Sequence, residues 1–220
     1  MIAMANPTAP ARKRAGRAAA TADEIEILTF TDQARFAAWL KAHHATSSGI
    51  WLRMAKKGAA IASVTREQAL EEALCYGWID GQAKSEGAET WRMRFVPRRP
   101  RSLWSRINCA KALALIAAGR MRPAGLAEIE RAKADGRWDA AYASPKNIEV
   151  PADLQAALSR SSRAAAAFAQ LDSRNRYAIL LRTHTAKKPE TRARRIQQFV
   201  EMLAKGETIH PQRAAKRGKT

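Results

Sequence analysis

The residues with the clearest chemical potential lie between positions 73 and 104. The stretch "ALCYGWIDGQAKS" (73–85) sets Trp78 and Asp80 between Gly77 and Gly81. It is followed by "TWRMRFVPRRPRSLW" (90–104), which carries Arg92, Arg94, Arg98, Arg99 and Arg101 and no acid. Guanidiniums hold phosphates and carboxylates through paired hydrogen bonds, indoles stack on rings or cations, and a carboxylate orients an arginine or moves a proton. Alternation along 91–96 puts Trp91, Met93 and Phe95 on one side of a strand and Arg92, Arg94 and Val96 on the other. If Ile79 packs inward, Trp78 and Asp80 join the arginine side, and Trp51 and Arg53 of segment 49–55 add to it. The pattern predicts an arginine-rich face with two tryptophans and one carboxylate. That face either binds an anionic ligand or is covered by the protein's own C-terminal helices, with Asp80 neutralising an arginine.

Two further basic clusters invite the same chemistry. Arg98, Arg99 and Arg101 precede a helical pattern, and a helix N-terminus with adjacent guanidiniums binds anions. The alternative is a solvated turn stiffened by Pro97 and Pro100. Trp104 either packs inward or stacks on a ligand. "TAKKPETRARRI" (185–196) places Lys187, Lys188, Arg192 and Arg195 around a helix start, a pattern suited to nucleic-acid backbone contact or to a solvated face.

The catalytic inventory is thin. Asp80 is the one acid/base candidate, with Glu72 or Tyr76 as conceivable partners that no spacing supports. His43, His44, His184 and His210 have no visible metal-ligand partners, so no metal site is expected. Cys75 ends an apolar helix and reads as a buried thiol. No HExxH, Walker A, GxGxxG or GxSxG pattern occurs, and no cofactor is implied.

The elements that must position these residues can be read from periodicity. "EIEILTF" (24–30) reads as a first strand. A helix capped by Thr31 follows, with Phe36, Trp39 and Leu40 on its apolar side. "GIWLRMAKKG" (49–58) is a half-buried strand. Thr65 and Gln68 form a capping box for a helix ending near Gly77. "WIDGQAKS" and "TWRMRFVP" form an antiparallel hairpin. Ser102 can cap a helix to Gly119 with Leu103, Ile107, Ala110 and Ala114 inward. Pro123 opens another helix, a linker follows over 138–150, and shorter helices run near 151–159, 161–182 with a break near 171–173, and 189–205. The fold class is therefore α+β: a small antiparallel sheet with helices, then a helical C-terminal half. The expected organisation is a disordered basic tail over 1–22, an α+β domain over 23–120, a helical domain over 121–205 and a second basic tail over 206–220.

Composition sets the outer limits. The 220 residues carry 39 Lys and Arg against 20 Asp and Glu, a formal charge of +19. Four net charges fall in residues 1–22 and four in 203–220, so the body is basic in its own right. Such an excess favours an anionic partner, and a GC-rich codon bias toward arginine is the plain alternative. The longest apolar runs, 112–119 and 164–171, are far short of the roughly 20 residues of a membrane span, so no membrane insertion is expected. Two cysteines and no secretory signal suit a reducing, cytoplasmic setting.

"ALCYGWIDGQAKS", "RFVPRRPRSLWSRIN", "AGRMRPAGLAEIE" and "TAKKPETRARRI", in that order, resemble the YdeI/OmpD-associated family, whose C-terminal segment is labelled bacteriocin-protection. The resemblance spans about residues 25–205. It implies an N-terminal part similar to YjbR/CyaY-like folds, a helical C-terminal part, a stress or bacteriocin-related setting and no settled activity or cofactor. The expectation from residues and resemblance together is a non-catalytic, bacterial, cytoplasmic binder. Its ligand would be an anionic small molecule or nucleic acid, held through Trp78, Asp80, Arg92, Arg94, Arg98, Arg99 and Trp104, with Lys187, Lys188, Arg192 and Arg195 as a nucleic-acid surface. The alternatives are a small cofactor-free enzyme using Asp80, or an adaptor with a protein partner.

Overall fold

The computed structural model of the chain describes residues 25–212. Of the ends expected to be disordered, 1–22 and 213–220 lie outside the described residues. Residues 206–212 fold back onto the second half: Ile209 packs on its core, and the His210 N–H donates to Asn175 Oδ1 at 2.9 Å.

The first half runs β1 (Ile27–Thr29), α1 (Gln33–His43), β2 (Ile50–Ala55), α2 (Arg66–Cys75), β3 (Trp78–Glu86) and β4 (Thr90–Pro97). These strands form one four-stranded sheet in the order β1-β2-β4-β3. The hairpin is present, with β4 antiparallel to both β3 and β2. The sheet is nevertheless mixed rather than purely antiparallel, because β1 runs parallel to β2. Parallel neighbours need a crossover, and α1 supplies it. In the same way α2 carries the chain from β2 to β3, with β4 inserted between them.

Phe36 and Leu40 of α1 and Leu70, Ala73 and Leu74 of α2 meet Ile50, Leu52, Met54, Met93 and Phe95 of the sheet in one core. The capping box of α2 forms as the sequence predicts, with Thr65 Oγ1 accepting from Gln68 N–H and Gln68 answering to Thr65 N–H. Asp32, not Thr31, caps α1, accepting from Arg35 N–H at 2.9 Å.

Two helices extend this core, α3 (Arg106–Ala117) and α4 (Pro123–Ala134). Gly77 ends α2 in the left-handed region at φ 73°. Gly125 in α4 lets two helices touch at backbone distance, because a Cβ there would lie 2.4 Å from Cys75 O. The cap of α3 is Ser105 rather than Ser102, whose Oγ accepts from Arg99 N–H inside the preceding turn. The face of α3 also differs from expectation. Asn108, Cys109, Ala112 and Leu115 are buried, whereas Leu103, Ile107, Leu113 and Ile116 are exposed. This helix is apolar on nearly all sides, so its periodicity carries no contrast to read.

The second half holds α5 (Ala152–Ser159), α6 (Ser162–Ala169), α7 (Ser173–His184) and α8 (Pro189–Ala204). Leu154, Leu158, Phe168, Ile179, Leu180, Ile196, Phe199 and Leu203 form a separate core. The break expected near 171–173 is where α6 gives way to α7, capped by Asp172. The segment joining the halves is pinned rather than free. Arg106 N–H donates to Tyr142 O, and Tyr142 N–H to Trp104 O, at 2.9 and 3.0 Å.

Candidate functional site

Register decides which charged side chains share a face, because directly paired residues point the same way. Trp51 pairs with Arg94, Arg53 with Arg92, and Lys84 with Arg92. Ile27 and Thr29 of β1 lie beside Trp51 and Arg53. These side chains form the sheet face opposite the core. Lys84 Nζ and the Arg92 guanidinium stand 5.0 and 5.2 Å from the Trp51 ring centroid. Glu86 is the carboxylate paired on this face. It takes a fork from Arg53, Nε at 2.6 Å and Nη2 at 3.0 Å, and lies 3.8 Å from Arg92. The Arg53 hydrogen bonds hold the Glu86 carboxyl below its usual range. Arg94 is half-buried, and its Nε has no hydrogen-bond partner.

Trp78 and Asp80 are not on this face, which corrects the alternation argument. Trp78 pairs with Pro97 and Asp80 with Phe95, so both lie on the side that carries the core. Ile79, whose inward packing is the condition of that argument, pairs with Val96 on the opposite side. An irregularity between Asp80 and Ala83 then inserts one residue and reverses the alternation. Lys84 is thereby delivered to the arginine face, a site residue the sequence reading missed. Gly81 beside the bulge was the available signal.

Trp78 is 1% exposed, donates its indole N–H to His44 O at 3.1 Å and meets Trp39 edge-on. It fastens β3 to the end of α1 and presents no ring to solvent.

Asp80 accepts from Arg66 Nη2 at 2.7 Å. It lines a cleft of about 450 Å³ with Asn108, Lys111, Tyr142 and Tyr177. Burial, and then the charge of Asp80, push the Tyr142 hydroxyl up, and burial pushes Tyr177 to about 12. Both phenols therefore stay protonated at neutral pH while Arg66 occupies the carboxylate. The partners considered for Asp80 are engaged elsewhere or buried. Glu72 accepts from Arg120 and from Gln33, each at 2.6 Å, and Tyr76 is buried. Cys75 and Cys109 are free and buried, and desolvation raises both thiols to about 11.

The loop arginines separate from one another. Arg99 and Arg101 are exposed, whereas Arg98 is 5% exposed and stacks 3.6 Å from the centroid of Trp104, itself 2% exposed. With Ser105 as cap, these arginines stand one loop away from the α3 N-terminus rather than at its first turn.

In the second half Lys187 and Lys188 are exposed. Arg192 forks Asp153 at 2.6 and 2.9 Å and donates Nη1 to Thr183 O, while Arg195 donates to Arg182 O. Both arginines therefore donate to carbonyls in the last turn of α7, where Thr183 O also accepts from Ala186 N–H at 3.3 Å. The Arg192 fork holds the Asp153 carboxyl below its usual range.

Among the described residues no group of His, Cys, Asp and Glu could hold a metal ion, and no helix is long and apolar enough to cross a membrane. Residues 147–206 match the family model described as Bacteriocin-protection, YdeI or OmpD-Associated. Residues 28–128 match a different one, described as a domain of unknown function (DUF8412). The bacteriocin-protection match thus covers only the last of the four sequence motifs, and the first two lie within the other. Comparison with curated proteins and with solved structures found no match.

Proposed function

We propose that this chain, whose residues 147–206 match the bacteriocin-protection, YdeI or OmpD-associated family model, is a non-catalytic binder of anionic ligands. Its binding surface is the open face of the four-stranded sheet. One observation carries this reading: Arg53, Lys84, Arg92 and Arg94 share that face with one paired carboxylate, Glu86, which Arg53 forks and Arg92 only approaches at 3.8 Å. Cations without a matched acid attract phosphates. Trp51 is 2% exposed and underlies the cations as a platform, so contact would run through the ligand's phosphates rather than its bases. Nucleic acid fits this face as a polymer with one phosphate per nucleotide, which several cations spread along a sheet can meet together. A bacteriocin-protection setting belongs to the proposal through the family description alone. Fluorescence anisotropy of labelled single- and double-stranded oligonucleotides, with the full chain across a salt series, tests it. The expected result is binding that weakens linearly in log[salt] with a slope of about −2 to −3 attributable to the sheet. No binding at low salt, or binding indifferent to salt, counts against it.

A second reading, a protein–protein adaptor, has its own observation. Leu103, Ile107, Leu113 and Ile116 are 45, 52, 52 and 37% exposed along α3 and its approach. Changing Ile107 and Leu113 to Glu should leave folding intact and abolish retention of any specific partner from a lysate. Unchanged retention would dismiss this surface.

A further inference from the structure

Buried polar atoms without partners are rare in folded proteins, and their location is informative. Six such side-chain nitrogens occur among the described residues, and five gather at one place: Arg98 Nε, Arg98 Nη2, Trp104 Nε1, Arg131 Nε and Arg137 Nη2. Glu128 lies among the three arginines, accepting from Arg131 and feeling the charges of Arg98 and Arg137. Arg98 and Arg137 are only 5 and 6% exposed. Each spends one nitrogen on the loop between them, Arg98 Nη1 on Leu103 O at 3.1 Å and Arg137 Nη1 on Ser102 O at 2.7 Å. What remains on Arg98 is its whole side-on edge, Nε and Nη2, the fork that fits two oxygens of one anion. The unmatched groups are all donors.

Charge points the same way. Three guanidiniums stand against Glu128 and Asp135, and the half-exposed Asp135 is hydrogen-bonded to Arg137 and also feels the charge of Lys187. Burying an uncompensated cation is costly. Desolvation lowers Arg98 to about 10, which leaves it charged at neutral pH.

We propose that the Arg98–Arg137–Trp104 cluster is an internal binding site for a small inorganic oxyanion such as phosphate or sulfate. The side-on fork of Arg98, the free Nη2 of Arg137 and the indole N–H of Trp104 supply the donors. This site is distinct from the sheet face. The loop 99–103 is tied to both arginines through Leu103 O and Ser102 O, so the anion enters when that loop lifts or during folding. Because every free donor atom is buried, the site takes a free ion and not the end of a polymer.

The test is thermal unfolding of the full chain in phosphate, sulfate and chloride at matched ionic strength, with Trp fluorescence as a second readout. The parent is the sheet variant Arg92→Gln, Arg94→Gln, Lys84→Gln, so that loss of the sheet reading and loss of this one are separable. Excluded-ion stabilisation by phosphate and sulfate acts on any protein. The diagnostic quantity is therefore the extra rise over Arg98→Lys, which keeps the charge and loses the fork. The expected result is a rise of several degrees with phosphate in the parent that is absent in Arg98→Lys, together with a phosphate-dependent change in indole emission. Trp104→Phe keeps the ring in the core and removes one donor. It should fold and bind phosphate several-fold more weakly, which preserves the test if Arg98→Lys does not fold. Equal phosphate responses in the parent and in the variants that fold, or a response to chloride as large as that to phosphate, would overturn the proposal.

Discussion

Arg92 and Arg94 on β4, and Arg192 and Arg195 on α8, come from stretches that look alike in sequence, each dense in arginine and poor in acid. The structure uses them differently. On α8 both side chains turn back on the protein, capping the carbonyls of α7 and, for Arg192, forking Asp153. On β4 the strand fixes both side chains on a face whose paired acid is committed to Arg53. A run of positive charge therefore measures how much charge is present, not how much is available to a ligand. Availability depends on nearby carbonyls and carboxylates, which the fold supplies.

That contrast can be broken at either end. The largest effect is expected from Arg92→Gln, Arg94→Gln and Lys84→Gln together, which should weaken oligonucleotide binding by roughly 10- to 100-fold at low salt. Urea unfolding should move by less than about 0.5 kcal/mol, as is usual for surface changes. Arg192→Ala should do the reverse. It removes a carboxylate fork and a carbonyl bond, and a loss of about 1–2 kcal/mol in urea unfolding is expected with oligonucleotide affinity nearly unchanged. Screening keeps the Asp153 pair a minor share of that figure, since both partners are partly exposed.

The pair should show a specific acid dependence. The Arg192 fork holds the folded Asp153 carboxyl below its ordinary value, so its contribution is complete above that ordinary value and disappears as pH falls through the lowered folded value. The stability gap between wild type and Arg192→Ala should therefore narrow only below about pH 4, as followed by acid-unfolding circular dichroism. A gap that narrows near neutrality would assign the effect to another group. The smallest effect is expected from Lys187→Gln with Lys188→Gln, less than about twofold in affinity for two exposed cations near a helix start.

Much of the fold was legible because its signals are local. The capping box at Thr65 and Gln68, the period-two pattern of β4 and the apolar stripe of α8 each need only neighbouring residues. The failures have physical causes of the same clarity. One inserted residue between Asp80 and Ala83 reversed the facing of β3 and moved the candidate carboxylate away from the arginines. An apolar pattern on all sides of α3 hid which side is buried. Ser102, expected to cap α3, is taken up by the turn at Arg99, and Ser105 three residues on caps the helix instead. The parallel pairing of a three-residue β1 has no sequence signature. Of the candidate site, Arg92 and Arg94 were correctly placed together, whereas the burial of Arg98, Trp104 and Trp78 depends on contacts far along the chain. Arg98 shows this most clearly, since Arg137, which shares its loop, is remote in sequence.

The most direct test of the account is a single anisotropy series with one oligonucleotide, comparing the sheet variant with Arg192→Ala, Arg195→Ala. Both are made in a full chain whose eight tail cations, from Arg12 to Arg17 and from Arg213 to Lys219, are changed to Gln. The account predicts that the sheet variant loses affinity and flattens the salt dependence by about two to three in slope, while the α8 variant keeps the parent curve. Equal losses in both, or loss only in the α8 variant, would contradict the assignment of the open sheet face as the binding surface.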